Sequence, residues 1–138
     1  MMKVTNRPIL LVEDDQVDMM SVTRALKQIH VSNKIVHREN GEDGLNYLQD
    51  ETNDKPCIIL LDLNMPIMNG IEFLEAVKSD DRFRRIPVVV LTTSDEQQDK
   101  VNSFDFGVAG YMSKPVDYWQ FVEVIRSIDA YWTISEMP

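Results

Sequence analysis

Five short runs rich in β-branched and aliphatic residues punctuate the chain: ILLV (9–12), KIVHRE (34–39), IILL (58–61), VVVL (88–91) and the weaker GYMS (110–113). The first, third and fourth are apolar throughout, as expected of parallel strands covered on both faces. GYMS is entered by Gly107 and Gly110 and stopped by Pro115. Between the runs, apolar residues recur at helical spacing. Met19, Val22, Leu26 and Ile29 make one stripe after the first run. Asn40-Gly41 opens a second helix through Leu45 and Leu48, and Gly70 precedes a third with Phe73, Leu74 and Val77 facing inward. Ser94 or Asp95 can cap a fourth helix reaching about Phe106, and Asp117 a fifth with the stripe Phe121, Ile125, Ile128 and Trp132. Strand and helix therefore alternate five times, which predicts an α/β fold with a parallel sheet sandwiched between helices. Right-handed crossovers leave few topologies; the expected one is a flavodoxin-like (βα)5 three-layer sandwich with strand order 2-1-3-4-5. The whole chain, 1–138, reads as one domain with a core over about 7–132, a loose tail at 133–138 and no linker or output domain.

Charge narrows the partners. Against 14 Lys+Arg stand 23 Asp+Glu, a formal charge of −9, which argues against nucleic acid and against an anionic membrane surface. The single cysteine, Cys57, excludes an internal disulfide and reads as a packed thiol. Met1 to Arg7 is polar, without the apolar core of a signal peptide, and no apolar stretch has membrane-spanning length. A cytoplasmic protein is expected.

Chemistry enters where the strands end. In such a sheet, ligands bind beyond the carboxyl ends of the strands, at the switch between strands 1 and 3. Strand 1 ends in Glu13-Asp14-Asp15, strand 3 in Asp62, strand 4 in Thr92-Thr93-Ser94 and strand 5 in Ser113-Lys114-Pro115. Carboxylates gathered at one edge repel one another. A hard divalent cation removes that conflict, and Mg²⁺ suits one to three carboxylates plus waters and a phosphate oxygen. Lys114 supplies the complementary charge from the other side. A carboxylate between a metal and a lysine is a nucleophile toward phosphorus, giving an aspartyl phosphate at Asp62. The Thr92 hydroxyl is placed to bond a phosphoryl oxygen. Asp15, one past the acidic pair, reads as a helix cap.

These residues resemble the receiver domain of two-component response regulators, from about Arg7 to Tyr131. ILLVEDD resembles that family's first strand and acidic pair, LLDLNMPIMNG its phosphoacceptor strand and following turn, VVVLTTS its fourth strand, and GYMSKP its Lys-Pro turn. The resemblance implies that Asp62 accepts a phosphoryl group from a sensor histidine kinase. It implies that Asp14 is a direct Mg²⁺ ligand, that Glu13 holds a metal-bound water, and that the Asn64 carbonyl completes the set. Thr92 and Lys114 would contact the phosphoryl group, and Tyr111 would be the aromatic that turns inward on activation. Asn64 and Ser94 occupy the positions that tune hydrolysis of the phosphoryl group. The pair is Glu-Asp where Asp-Asp is the other common form. DDRFRRIPVVVLTTSDEQQD, with nothing attached after the domain, further resembles stand-alone receivers paired with phytochrome-type kinases.

A receiver with no output domain signals through its own surface. The expected element is the fourth helix with the fifth strand and fifth helix. Tyr118, Trp119, Tyr131 and Trp132 give the last helix more aromatics than one buried stripe needs, so Tyr118 and Trp119 are interface candidates for a homodimer or another partner. Two other classes compete. A phosphorylation-independent binding module on the same scaffold usually lacks the lysine or an acid, and both are present. A hydrolase with an Asp nucleophile carries a second Asp two residues on, where this chain has Asn64, and encloses its substrate with a cap domain that is absent here. The expectation is a protein that catalyses only its own phosphorylation and dephosphorylation.

Overall fold

Successive side chains of a strand point to opposite faces of a sheet, so a continuously apolar strand needs cover on both sides. The structure, a computed structural model, describes residues 7–28, 33–63, 65, 67–93, 95–114, 119–120 and 123–124. Its elements are β1 (Ile9–Val12), α1 (Gln16–Gln28), β2 (Ile35–Arg38), α2 (Gly41–Gln49), β3 (Ile58–Asp62), α3 (Gly70–Lys78), β4 (Val88–Thr92), α4 (Asp95–Ser103) and β5 (Gly110–Ser113). All five strands are parallel, in the order β2-β1-β3-β4-β5, which is the expected topology.

The two faces carry separate cores. Leu10, Val12, Ile59, Leu61, Val88 and Val90 pack with Phe73, Leu74 and Val77 of α3, Tyr47 and Leu48 of α2 and Val101 of α4. Ile9, Leu11, Ile58, Leu60, Val89, Leu91 and Met112 pack with Val22, Ala25 and Leu26 of α1 and with Val124 beyond β5. Full burial of each large aliphatic or aromatic side chain contributes roughly 1.5–3 kcal/mol, so the central strands are the most firmly held part of the molecule.

Helix starts follow from side chains that accept the free N–H groups of the first turn. Asp15 accepts from the Asp18 amide at 3.0 Å, the helix-cap role expected of it. Asn40 caps α2 through the Asp43 amide at 2.9 Å. Asn69 and Glu72 form a reciprocal capping box at α3. Gly70 is the first residue of α3 rather than the residue before it. A side chain there would lie 2.6 Å from the Leu63 Cα and 2.7 Å from the Asp62 carbonyl oxygen; glycine lets the helix start against the end of β3. At the far end of α4 the helix stops at Ser103, short of the expected Phe106, because Asp105 and Gly107 take left-handed backbone (φ 52° and 69°). The expected fifth-helix stripe, Phe121, Ile125, Ile128 and Trp132, lies outside the described residues, as does the tail at 133–138.

Candidate functional site

The register of the sheet sets Val12 beside Leu61, Asp62 beside Leu91 and Thr92 beside Ser113. The residues at the carboxyl ends of β1, β3, β4 and β5 therefore converge on one edge. Lys114 reaches back into it from beyond β5, held by its amide hydrogen bond to the Thr92 carbonyl at 2.7 Å. Its ammonium lies 2.9 Å from Asp62 Oδ1, 3.1 Å from Glu13 Oε1 and 3.0 Å from Asp18 Oδ2. Glu13, Asp62 and Thr92 are buried and Asp14 is exposed. One carboxylate oxygen each from Glu13, Asp14 and Asp62 fall within 4.8 Å of one another.

The electrostatics are unresolved by protein groups alone. Burial and the neighbouring Asp62 charge push the Glu13 carboxyl up from 4.5 to about 7, against the pull of the Asp15 amide and of Lys114. Its Oε2 accepts hydrogen bonds from that amide at 3.1 Å and from Lys114 at 3.3 Å. Its buried Oε1 receives no aligned hydrogen bond, although the ammonium stands 3.1 Å away. For Lys114, burial pulls the pKa down, but hydrogen bonds to Asp62 and Asp18 and the charges of Asp62 and Glu13 outweigh it and raise the ammonium above the usual lysine range. The lysine is thus a permanent cation that only partly offsets the acids. A poorly satisfied buried oxygen inside an all-oxygen donor set, next to an exposed carboxylate, fits a hard divalent cation.

Comparison with known proteins agrees with this chemistry. The family model described as the response regulator receiver domain matches residues 9–126. The chain belongs to the response regulator receiver family. Response regulator Rcp1 of Synechocystis sp. is 34% identical over 128 residues, spanning 90% of this chain and 87% of Rcp1. The Mn²⁺-bound crystal form of Rcp1 superposes with a TM-score of 0.74 at 33% identity, over 91% of this chain and 94% of that one. The bacteriophytochrome response regulator RtBRR gives a TM-score of 0.83 at 41% identity, covering 88% of this chain and 76% of its own. Its counterpart AtBRR gives 0.82 at 39%, covering 91% and 94%. Receivers of this family are signalling proteins of two-component systems, phosphorylated on an aspartate by histidine kinases, rather than classical enzymes. Among the described residues no helix is long and apolar enough to cross a membrane.

Within this receiver, the expected site residues Glu13, Asp14, Asp62, Thr92 and Lys114 lie together. Asn64, Ser94 and Tyr118 lie outside the described residues. Tyr111 is half-buried on β5, packed toward the α2–α3–α4 core, and its hydroxyl bonds the Asn102 side chain of α4. Trp119 is 73% exposed. Cys57 is buried, and burial pushes its thiol up to about 11, so it is a packed thiol. Asp18 is the site residue that sequence reasoning missed. It stands in the first turn of α1, and only the packing of that helix on its face of the sheet brings it to Lys114.

Proposed function

We propose that this receiver accepts a phosphoryl group from a histidine kinase on Asp62, with Mg²⁺ as its metal, and signals through α4, β5 and the segment that follows. The observation that carries the proposal is the Lys114 ammonium 2.9 Å from Asp62 Oδ1, within a site where one carboxylate oxygen each from Glu13, Asp14 and Asp62 cluster.

The roles follow from the chemistry. An Asp62 oxygen attacks phosphorus, and the bond from phosphorus to the donor's leaving group breaks as the new O–P bond forms. Lys114, held protonated, donates to an equatorial phosphoryl oxygen and stabilises its charge. The hydroxyl of Thr92, a buried residue at the end of β4, would bond one of the same oxygens. Glu13, Asp14 and Asp62, with the Asn64 carbonyl, would hold the cation, which supplies positive charge where the carboxylates and the incoming phosphoryl oxygens meet. Asn64 and Ser94 are assigned the tuning of hydrolysis.

The output rests on how loosely α4 is attached. Val101 is its one buried side chain among the described residues, and Tyr111 ties it to β5 through Asn102. Drawing Thr92 toward a phosphoryl group and turning Tyr111 inward would cost α4 few contacts, which suits a two-state element. Phe104 (50% exposed) and Trp119 (73%) supply apolar surface on this side for a second copy or a downstream target. The bacteriophytochrome regulators RtBRR and AtBRR, at 41% and 39% identity, support a phytochrome-type kinase as the donor.

The test is intact-mass measurement after incubation with acetyl phosphate and Mg²⁺. One added phosphoryl group is expected, lost when a chelator is present. Equal modification with and without chelator removes the metal from the account, and no modification by acetyl phosphate or by any histidine kinase of the source organism removes the receiver function itself.

A further inference from the structure

We infer that Asp18 is a positioning residue for Lys114, acting on phosphoryl transfer through the ammonium group without touching phosphorus or the cation. This deepens the reading of Asp62 as phosphoacceptor and rests on it. An ammonium has three N–H donors and no acceptor. Here Asp62 Oδ1 at 2.9 Å, Asp18 Oδ2 at 3.0 Å and Glu13 Oε2 at 3.3 Å account for all three directions. Lys114 follows an edge strand of the sheet, and its long flexible stem would let an unheld ammonium swing to solvent. Glu13 holds it from the buried floor. Asp18 holds it from the outer side: its side chain is 25% exposed, against 12% for Lys114 and 0% for Glu13.

Asp18 is well anchored for this task. Its amide is fixed by Asp15, and α1 is pinned to the sheet by Val22, Ala25 and Leu26. It lies outside the group of acids whose oxygens cluster for a cation. With two donors committed to Asp18 and Glu13, the third points at Asp62. A phosphoryl oxygen arriving there meets an ammonium already in place, which is the kind of prior ordering that lowers a barrier.

A double-mutant cycle tests this. Initial rates of phosphorylation by acetyl phosphate at saturating Mg²⁺ are compared for wild type, Asp18→Ala, Lys114→Ala and the double variant, with thermal melts confirming folding. Asp18→Ala should slow the wild type roughly tenfold, less than the ~100-fold that a 1 Å misplacement can cost because Glu13 still holds the ammonium, and should slow Lys114→Ala no further. Asp18→Asn should fall between, since its amide oxygen still accepts from the ammonium; it also replaces Asp18→Ala in the cycle should that variant not fold. In metal-free protein, the ¹⁵N signal of the Lys114 ammonium should be protected from exchange in wild type and lost in Asp18→Ala. An unchanged rate, an equal loss in both backgrounds, or a protected ammonium without Asp18 overturns the inference. A wild type that takes no phosphoryl group overturns the underlying reading first, so the two failures are told apart.

Discussion

Replacing Glu13 with glutamine should stabilise the metal-free protein at alkaline pH while weakening its hold on a divalent cation. The magnitude comes from the carboxyl's environment: burial and the Asp62 charge raise it from 4.5 to about 7. A native pKa above the unfolded one means that the native state holds a proton which the unfolded chain releases. That stabilising proton is fully held below pH 4.5 and lost as pH rises through 7. Between these limits the wild type should lose about 1.4 kcal/mol per pH unit relative to a variant that does not titrate, for a total of about 3 kcal/mol. Urea unfolding in chelator, followed by tryptophan fluorescence at four pH values from 5 to 8, measures the gap directly. Glu13→Gln should be the more stable protein at pH 8 by about 2–3 kcal/mol, with the gap narrowing steadily to pH 5. Adding Mg²⁺ should reverse the order, because a ligand that binds only the native state stabilises whichever variant binds it better. A gap that does not change with pH, or a wild type more stable at pH 8 without metal, would refute the claim that this acid is held against its own electrostatic preference.

Two further outcomes follow from the same geometry. Gly70→Ala should cost about 2–3 kcal/mol in urea or thermal unfolding, as overpacking against backbone does, and should slow phosphorylation by shifting the end of β3; wild-type stability would show that the 2.6 Å approach to Leu63 is relieved cheaply. Cys57 should resist alkylation in native protein near pH 8, because burial holds its thiol near 11, and should react at once in denaturant; fast native labelling would contradict its packing.

How much of this was legible before any coordinates depended on what carried the signal. ILLV, IILL and VVVL reported burial on both faces, and with it a parallel sheet whose strand ends had to meet at one edge. Glu13, Asp62, Thr92 and Lys114 could be brought together on that ground alone. Asp18 could not. Its partner lies 96 positions away on a different element, and an acid in the first turn of a helix is already explained by the helix dipole. The end of α4 is hidden for a similar reason: left-handed backbone is uncommon at a residue other than glycine, yet Asp105 takes it and ends the helix before Phe104 and Phe106, which stack on each other at 5.4 Å. Gly70 read as a helix-preceding glycine, because the need for its missing side chain lies in the tertiary approach to Leu63 and not in the local sequence.

The central claim is that one carboxylate, Asp62, is made ready for phosphoryl transfer by the groups around it. Treating the phosphorylated protein with borohydride converts an acyl phosphate to an alcohol, so that peptide mapping locates the modified residue. The account predicts homoserine at position 62 and nowhere else, with no conversion in Asp62→Asn. Conversion at Asp14 or another acid, or undiminished labelling of Asp62→Asn, would contradict it.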